Sequence, residues 1–303
     1  MKRKFLGLFC AISLLMLTGC VDQSQPPTTA QAAMTETTAE AEPTEEELRL
    51  IATSFSAVTI CDMLDLPLIG VPETANTIAD KYSEATVVGG SMSPDFEIIA
   101  SLKPTEVFAP DTLKEQMETK LQAVNVNSMF LNLRSVHGLY ESVGVLGSKY
   151  DRKELAEEII GDFEHTIMDF EAEREGKENP TVMILMGFPG SFCEATASSY
   201  VGNLVELAGG INVVEDEFDD FVYWNTEELV KFNPDYILWT AHAIPDLVGD
   251  MFEKEFATND IWKHFDAVQE GRVIELDPSL FHMSANFEWA EGVAFLQELF
   301  YGE

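Results

Sequence analysis

Basic residues are scarce in this chain. Of its 303 residues, 18 are Lys or Arg and 53 are Asp or Glu, giving a net charge of −35 at pH 7. Phosphate backbones are held by clustered cations, so that balance excludes nucleic acid as a partner and disfavours an anionic membrane face. Most of the carboxylates read as a solubilising exterior. The acidic run Glu215 to Asp220 is interrupted by Phe218 and lacks the Gly-centred loop of an EF-hand, so it is not read as a calcium site. Cysteine is also rare. Of four, Cys10 sits in an apolar leader and Cys20 directly follows it. Cys61 and Cys193 lie far apart in apolar surroundings, which points to buried free thiols and no disulfide framework. Enzymatic signatures are missing. Gly89-Gly90-Ser91-Met92-Ser93 lacks the closing glycine of a nucleophile elbow. The chain has no phosphate-binding loop, no dinucleotide fingerprint and no His/Cys spacing suited to structural zinc.

What is there begins with targeting. Lys2, Arg3 and Lys4 precede an apolar run from Phe5 to Met16 that is too short to span a bilayer. The run ends in Leu17-Thr18-Gly19-Cys20, which resembles the lipobox of bacterial lipoproteins. Residues 1–19 are therefore expected to be a signal peptide and Cys20 the lipidated residue. Loss of the three basic residues with the leader takes the charge from −35 to −38. Residues 20–47 are rich in Gln, Pro, Thr, Ala and Glu and poor in large apolar side chains, the composition of a flexible spacer. The expected location is the outer face of the cell membrane, held by acyl chains alone.

The rest of the chain reads as two α/β lobes, residues 48–150 and 177–303, joined by one long helix over 151–176. Leu155, Ile159, Phe163, Ile167 and Phe170 recur at helical spacing among charged residues, with Gly176 and Pro180 as the stop. About 24 residues give a helix roughly 36 Å long. Apolar runs at 49–53, 86–89 and 105–109, and again at 181–186, 235–239 and 272–276, read as buried strands of parallel sheets. The halves also echo each other. Asp95 to Pro104 and Asn225 to Pro234 each carry a Glu opening a short helix, a Pro seven residues later, and then a strand. Two such lobes place the loops at their strand ends across a ligand groove.

Two of those loops carry metal-binding side chains: Gly90-Ser91-Met92-Ser93-Pro94 in the first lobe and Ala241-His242-Ala243-Ile244-Pro245 in the second. A thioether and an imidazole suit the two axial positions of haem iron. His282 follows the last strand and is a reserve ligand. His137, His165 and His264 lie on or near helical segments and carry less weight.

Several blocks in order then resemble the haem-receptor lipoproteins of the IsdE type, within the cobalamin and siderophore class of ABC-transporter substrate-binding proteins. These blocks are Met92 to Glu97, Phe130 to Leu133, Gly187 to Gly190, Ala195 to Gly209 and Asn259 to Phe265. The resemblance implies a rigid linking helix and haem b carried in a shallow groove. It implies axial ligation by Met92 and His242, and delivery to an ABC permease and its ATPase. Upstream haem-donor proteins and a monomeric state go with that picture. Glu97 and Glu227 resemble the paired glutamates with which this class grips its permease. The segments 77–82 and 280–283 depart from the family pattern, which leaves the propionate contacts and the role of His282 open. The alternatives are the same fold carrying a corrinoid or an iron–siderophore, and, in a different class, a haem-modifying enzyme.

Overall fold

The computed structural model describes residues 48–302, apart from positions 217, 225 and 243 and the side chains of residues 226 and 227. Cys20, the leader and the spacer lie outside the described residues.

The first sheet is assembled from β1 (Leu50–Ala52), β2 (Leu68–Glu73), β3 (Thr86–Gly90), β4 (Ser93–Pro94), β5 (Glu106–Pro110) and β6 (Ser128–Leu131), in the order β4-β3-β2-β1-β5-β6. All neighbours run parallel except β3 and β4. Strands buried on both faces carry no alternation, and Leu50, Ile51 and Ala52 are all fully buried. Around this sheet lie α1 (Phe55–Met63), α2 (Phe96–Ser101), α3 (Lys114–Ala123) and α4 (Val136–Lys149). Ser54, Asp95 and Ser135 accept hydrogen bonds from the first turns of α1, α2 and α4.

The second sheet is formed by β7 (Thr181–Phe188), β8 (Ser191–Ala195), β9 (Ile211–Asn212), β10 (Phe221–Val222), β11 (Tyr236–Ala241) and β12 (Val273–Glu275). Its order is β10-β8-β7-β11-β12, with β9 also paired to β7. The frame β7-β11-β12 is parallel, as the apolar runs predict, whereas β8 folds back on β7 and pairs antiparallel with β10. The second lobe also contains α6 (Tyr200–Leu207), α7 (Thr226–Leu229), α8 (Pro245–Thr258), α9 (Asp266–Gln269) and α10 (Trp289–Tyr301).

The long helix, α5, spans Lys153–Glu173, 21 residues or roughly 32 Å. It starts two residues after Asp151, which takes a left-handed φ of 57° in the tight turn from α4. Ile159 and Phe163 of the expected stripe are buried, and Leu155, Ile167 and Phe170 pack partly buried against them. Phe163 stacks on Tyr140 of α4 with centroids 4.1 Å apart, and Trp289 of α10 meets Phe163 edge-on at 5.6 Å. The Trp289 indole N–H donates to the Tyr140 hydroxyl at 3.0 Å. Asn203 of α6 accepts from the Val136 N–H at 2.9 Å, and the Ala285 N–H donates to the Leu133 carbonyl at 2.8 Å. One apolar core therefore runs from Leu50 through α4 and α5 to Leu296 and serves both lobes.

The internal echo is visible in the backbone. Lys103 and Asn233, each directly before the proline, take left-handed φ values of 47° and 35°, and β5 and β11 begin three residues later. Each of these strands pairs parallel with the strand that opens its lobe.

Candidate functional site

The first-lobe loop is a tight hairpin. Gly90 pairs with Ser93, leaving Ser91 and Met92 as its turn. Gly89 takes φ +97°, and a Cβ there would lie 3.1 Å from the Asp95 backbone nitrogen, so the bend needs glycine. Asp95 ties the hairpin down: its N–H donates to the Val88 carbonyl at 2.7 Å while its carboxylate caps α2. Met92 is thus held on a short, fixed turn with its side chain 60% exposed.

The second-lobe loop leaves β11 at Ala241. The His242 N–H donates to the Gly187 carbonyl of β7 at 2.9 Å, which extends the parallel register by one residue. The His242 ring lies 5.5 Å from the Phe188 ring. Two residues on, Ile244 takes φ 46°, an uncommon conformation for a β-branched residue, just before Pro245 opens α8. The cleft walls partly desolvate His242, and the charge of His282 acts in the same direction; together they lower its pKa below the ordinary 6.5. His242 therefore stays neutral, with a free nitrogen lone pair, to lower pH than an ordinary histidine.

Both loops open on one cavity of about 760 Å³ between the lobes, inside the usual range of small-molecule sites. Met92, Phe55 and Leu113 line it from the first lobe; His242, His282, Met186, Phe218, Phe281 and Met283 line it from the second. The three sequence candidates for iron thus line the same cavity. His137 packs edge-on against Phe163 of the long helix, and neither it nor His165 or His264 lines the cavity. Among the described residues no cluster of three or more His, Cys, Asp or Glu suits a metal ion. Cys61 and Cys193 are buried free thiols; burial pushes Cys193 up to about 12 and Cys61 higher still.

Sequence reasoning missed Arg134, the one Lys or Arg among the described residues that line the cavity. It lies between β6 and α4, one residue beyond the block that ends at Leu133. Its Nε is 3.4 Å from the Asp111 carboxylate of the first lobe, and its Nη1 is 3.0 Å from Asp220 of the second. Nothing local in sequence marks it, because Asp220 lies 86 residues away. Glu97 is exposed in the first turn of α2 and does not line the cavity. Glu227 belongs to α7, and its side chain lies outside the described atoms.

Residues 50–280 match the family model described as "Periplasmic binding protein". The chain belongs to that family. It is 34% identical over 291 residues to the high-affinity heme uptake system protein IsdE of Staphylococcus aureus, covering 96% of this chain and 95% of the relative. The crystal structure of S. aureus IsdE complexed with heme superimposes with a TM-score of 0.80 at 36% identity, covering 84% of this chain and 99% of the other. An ABC transporter substrate-binding protein from Listeria monocytogenes EGD-e gives a TM-score of 0.80 at 38% identity, again over 84% of this chain and 99% of the other. The molecule is therefore a substrate-binding protein of the ABC-transporter type and not an enzyme. Among the described residues no helix is long and apolar enough to cross a membrane.

Proposed function

We propose that this substrate-binding protein captures haem b and hands it to an ABC permease, with Met92 and His242 as the axial ligands of the iron. The observation that carries the reading is the convergence of one thioether and one imidazole, from opposite lobes, on a single cavity. Fixed backbone under each side chain supports the reading: Met92 sits on the hairpin tied to α2, and His242 on the register of β11 against β7. Similarity to IsdE over nearly the whole chain supports the same ligand class. The binding body is the two lobes, residues 48–150 and 177–303, with 151–176 as the link. Lipid on Cys20 and the spacer 20–47 tether that body, as a monomer, to the outer face of the membrane. Glu97 and Glu227 engage the permease, and surface haem donors load the cleft.

The test is an absorption spectrum of purified protein mixed with haemin. Wild type gives a low-spin, six-coordinate spectrum. His242→Ala abolishes it and weakens ferric haem binding more than Met92→Ala, because imidazole binds both iron oxidation states well. Met92→Ala lowers the reduction potential, because the thioether favours ferrous iron. Loss of the low-spin spectrum in His282→Ala and not in His242→Ala reassigns the ligand. A spectrum indifferent to all three substitutions moves a corrinoid or siderophore ahead of haem. For docking, Glu97→Ala with Glu227→Ala leaves haem affinity near wild type and stops uptake; normal uptake refutes that role.

A further inference from the structure

Phe218 is 81% exposed, the highest value for a large hydrophobic side chain among the described residues. It lines the cavity that holds Met92 and His242. The backbone that carries it is tied down on several sides. The Asp216 carboxylate accepts from the N–H groups of Phe218 and Asp219 at 2.8 and 2.9 Å. Thr196 of the same lobe donates to the carbonyls of Asp219 and Asp220. From the other lobe, Arg134 reaches both the Asp220 carboxylate, at 3.0 Å, and the Phe218 carbonyl, at 3.5 Å.

Arg134 is itself aimed by Asp111, whose carboxylate faces its Nε at 3.4 Å and also accepts from the Leu133 N–H. With one guanidinium between two carboxylates the group carries a net negative charge, which repels a ligand carboxylate. Its placement suits a brace between the lobes. What it holds in place is an uncovered ring at the edge of the ligand space, and water is a poor neighbour for such a ring.

We propose that Phe218 is an apolar wall of the ligand pocket, set across the cleft by Arg134, and that it grips the macrocycle itself and not the metal. Arg134 is the positioning residue. The inference rests on the tetrapyrrole reading above and adds a contact independent of iron. The ligand class follows: planar, apolar macrocycles bind with or without a metal at their centre.

Metal-free protoporphyrin IX is the deciding probe, since Met92 and His242 have no iron to bind in it. Wild type binds it, and Phe218→Ala binds it about tenfold more weakly, while Phe218→Leu, which keeps the apolar bulk, stays within about threefold. The low-spin haemin spectrum of Phe218→Ala keeps wild-type band positions although haem is lost faster to an apomyoglobin acceptor. Arg134→Met weakens protoporphyrin binding several-fold. The Arg134→Met loss disappears when Phe218 is already Ala, because Arg134 acts through that ring; an equal loss on both backgrounds refutes the positioning role. Absence of protoporphyrin binding, or equal affinity of wild type and Phe218→Ala, overturns the proposal while leaving axial ligation intact. A haemin spectrum indifferent to Met92 and His242 overturns the ligation and leaves the protoporphyrin result to stand alone.

Discussion

His242 shows how one residue couples packing to chemistry. The pKa of its imidazole is lowered by desolvation first and by His282 second. The folded protein therefore binds fewer protons than the unfolded chain in the window from pH 6.5 down to the lowered value. Stability of the ligand-free protein is lost as pH falls through that window, and neutral His242 contributes fully only above it. Replacing His282 by Ala removes the second cause, so the His242 pKa rises toward 6.5 in an NMR titration of ligand-free protein. An unchanged titration shows that the two rings do not sense each other. Gly187 is the other decisive residue here. A Cβ on it would lie 2.3 Å from Val248 Cγ1 and 2.7 Å from the Phe252 ring, and its carbonyl holds His242. Gly187→Ala is expected to cost about 2 kcal/mol by overpacking α8 and to displace His242. Thermal melts and haemin titration should both register the change; a melt equal to wild type refutes the close packing.

At the scale of elements, legibility followed how local the signal was. The runs at 49–53, 105–109 and 181–186 became β1, β5 and β7 almost residue for residue, because strands buried on both faces are apolar throughout. The stripe Ile159, Phe163 and Phe170 foretold α5 for the same reason. β2 was not read as a strand. Pro72 argues against a central strand, and it is tolerated because the pairing register breaks between Val71 and Glu73. β4, β9 and β10 are two residues each and owe their identity to distant partners. Met92 and His242 are legible as residues of the cleft because each stands in a Gly- or Pro-marked loop after a readable strand. Phe218 and Arg134 are not, since their meaning arises only where the lobes meet. The α4–α10 contact can be tested directly. Trp289→Phe removes the donor to Tyr140 and part of a buried ring, a loss of about 2 kcal/mol. Chemical denaturation measures it, and a loss below about 0.5 kcal/mol would mean the contact is not part of the core.

For the whole molecule, the shared core sets the cooperativity. Tyr140, Phe163 and Trp289 belong to α4, α5 and α10 and bury one another. Neither lobe can lose its packing without exposing the other's. Calorimetry of the ligand-free protein should therefore show one transition whose van't Hoff and calorimetric enthalpies agree. Two resolved transitions would show independent lobes.

The same aromatic contact bears on how a transporter senses its cargo. Large hinge motions need an interface that parts easily, whereas here separation would open the core. Solution scattering of empty and ligand-loaded protein should superimpose, and a clear contraction on loading would refute this. A receptor whose outline does not change offers its importer few clues to occupancy. Whatever tells a full receptor from an empty one must then be written at the mouth of the cleft, in the edge of the cargo and the few side chains that touch it.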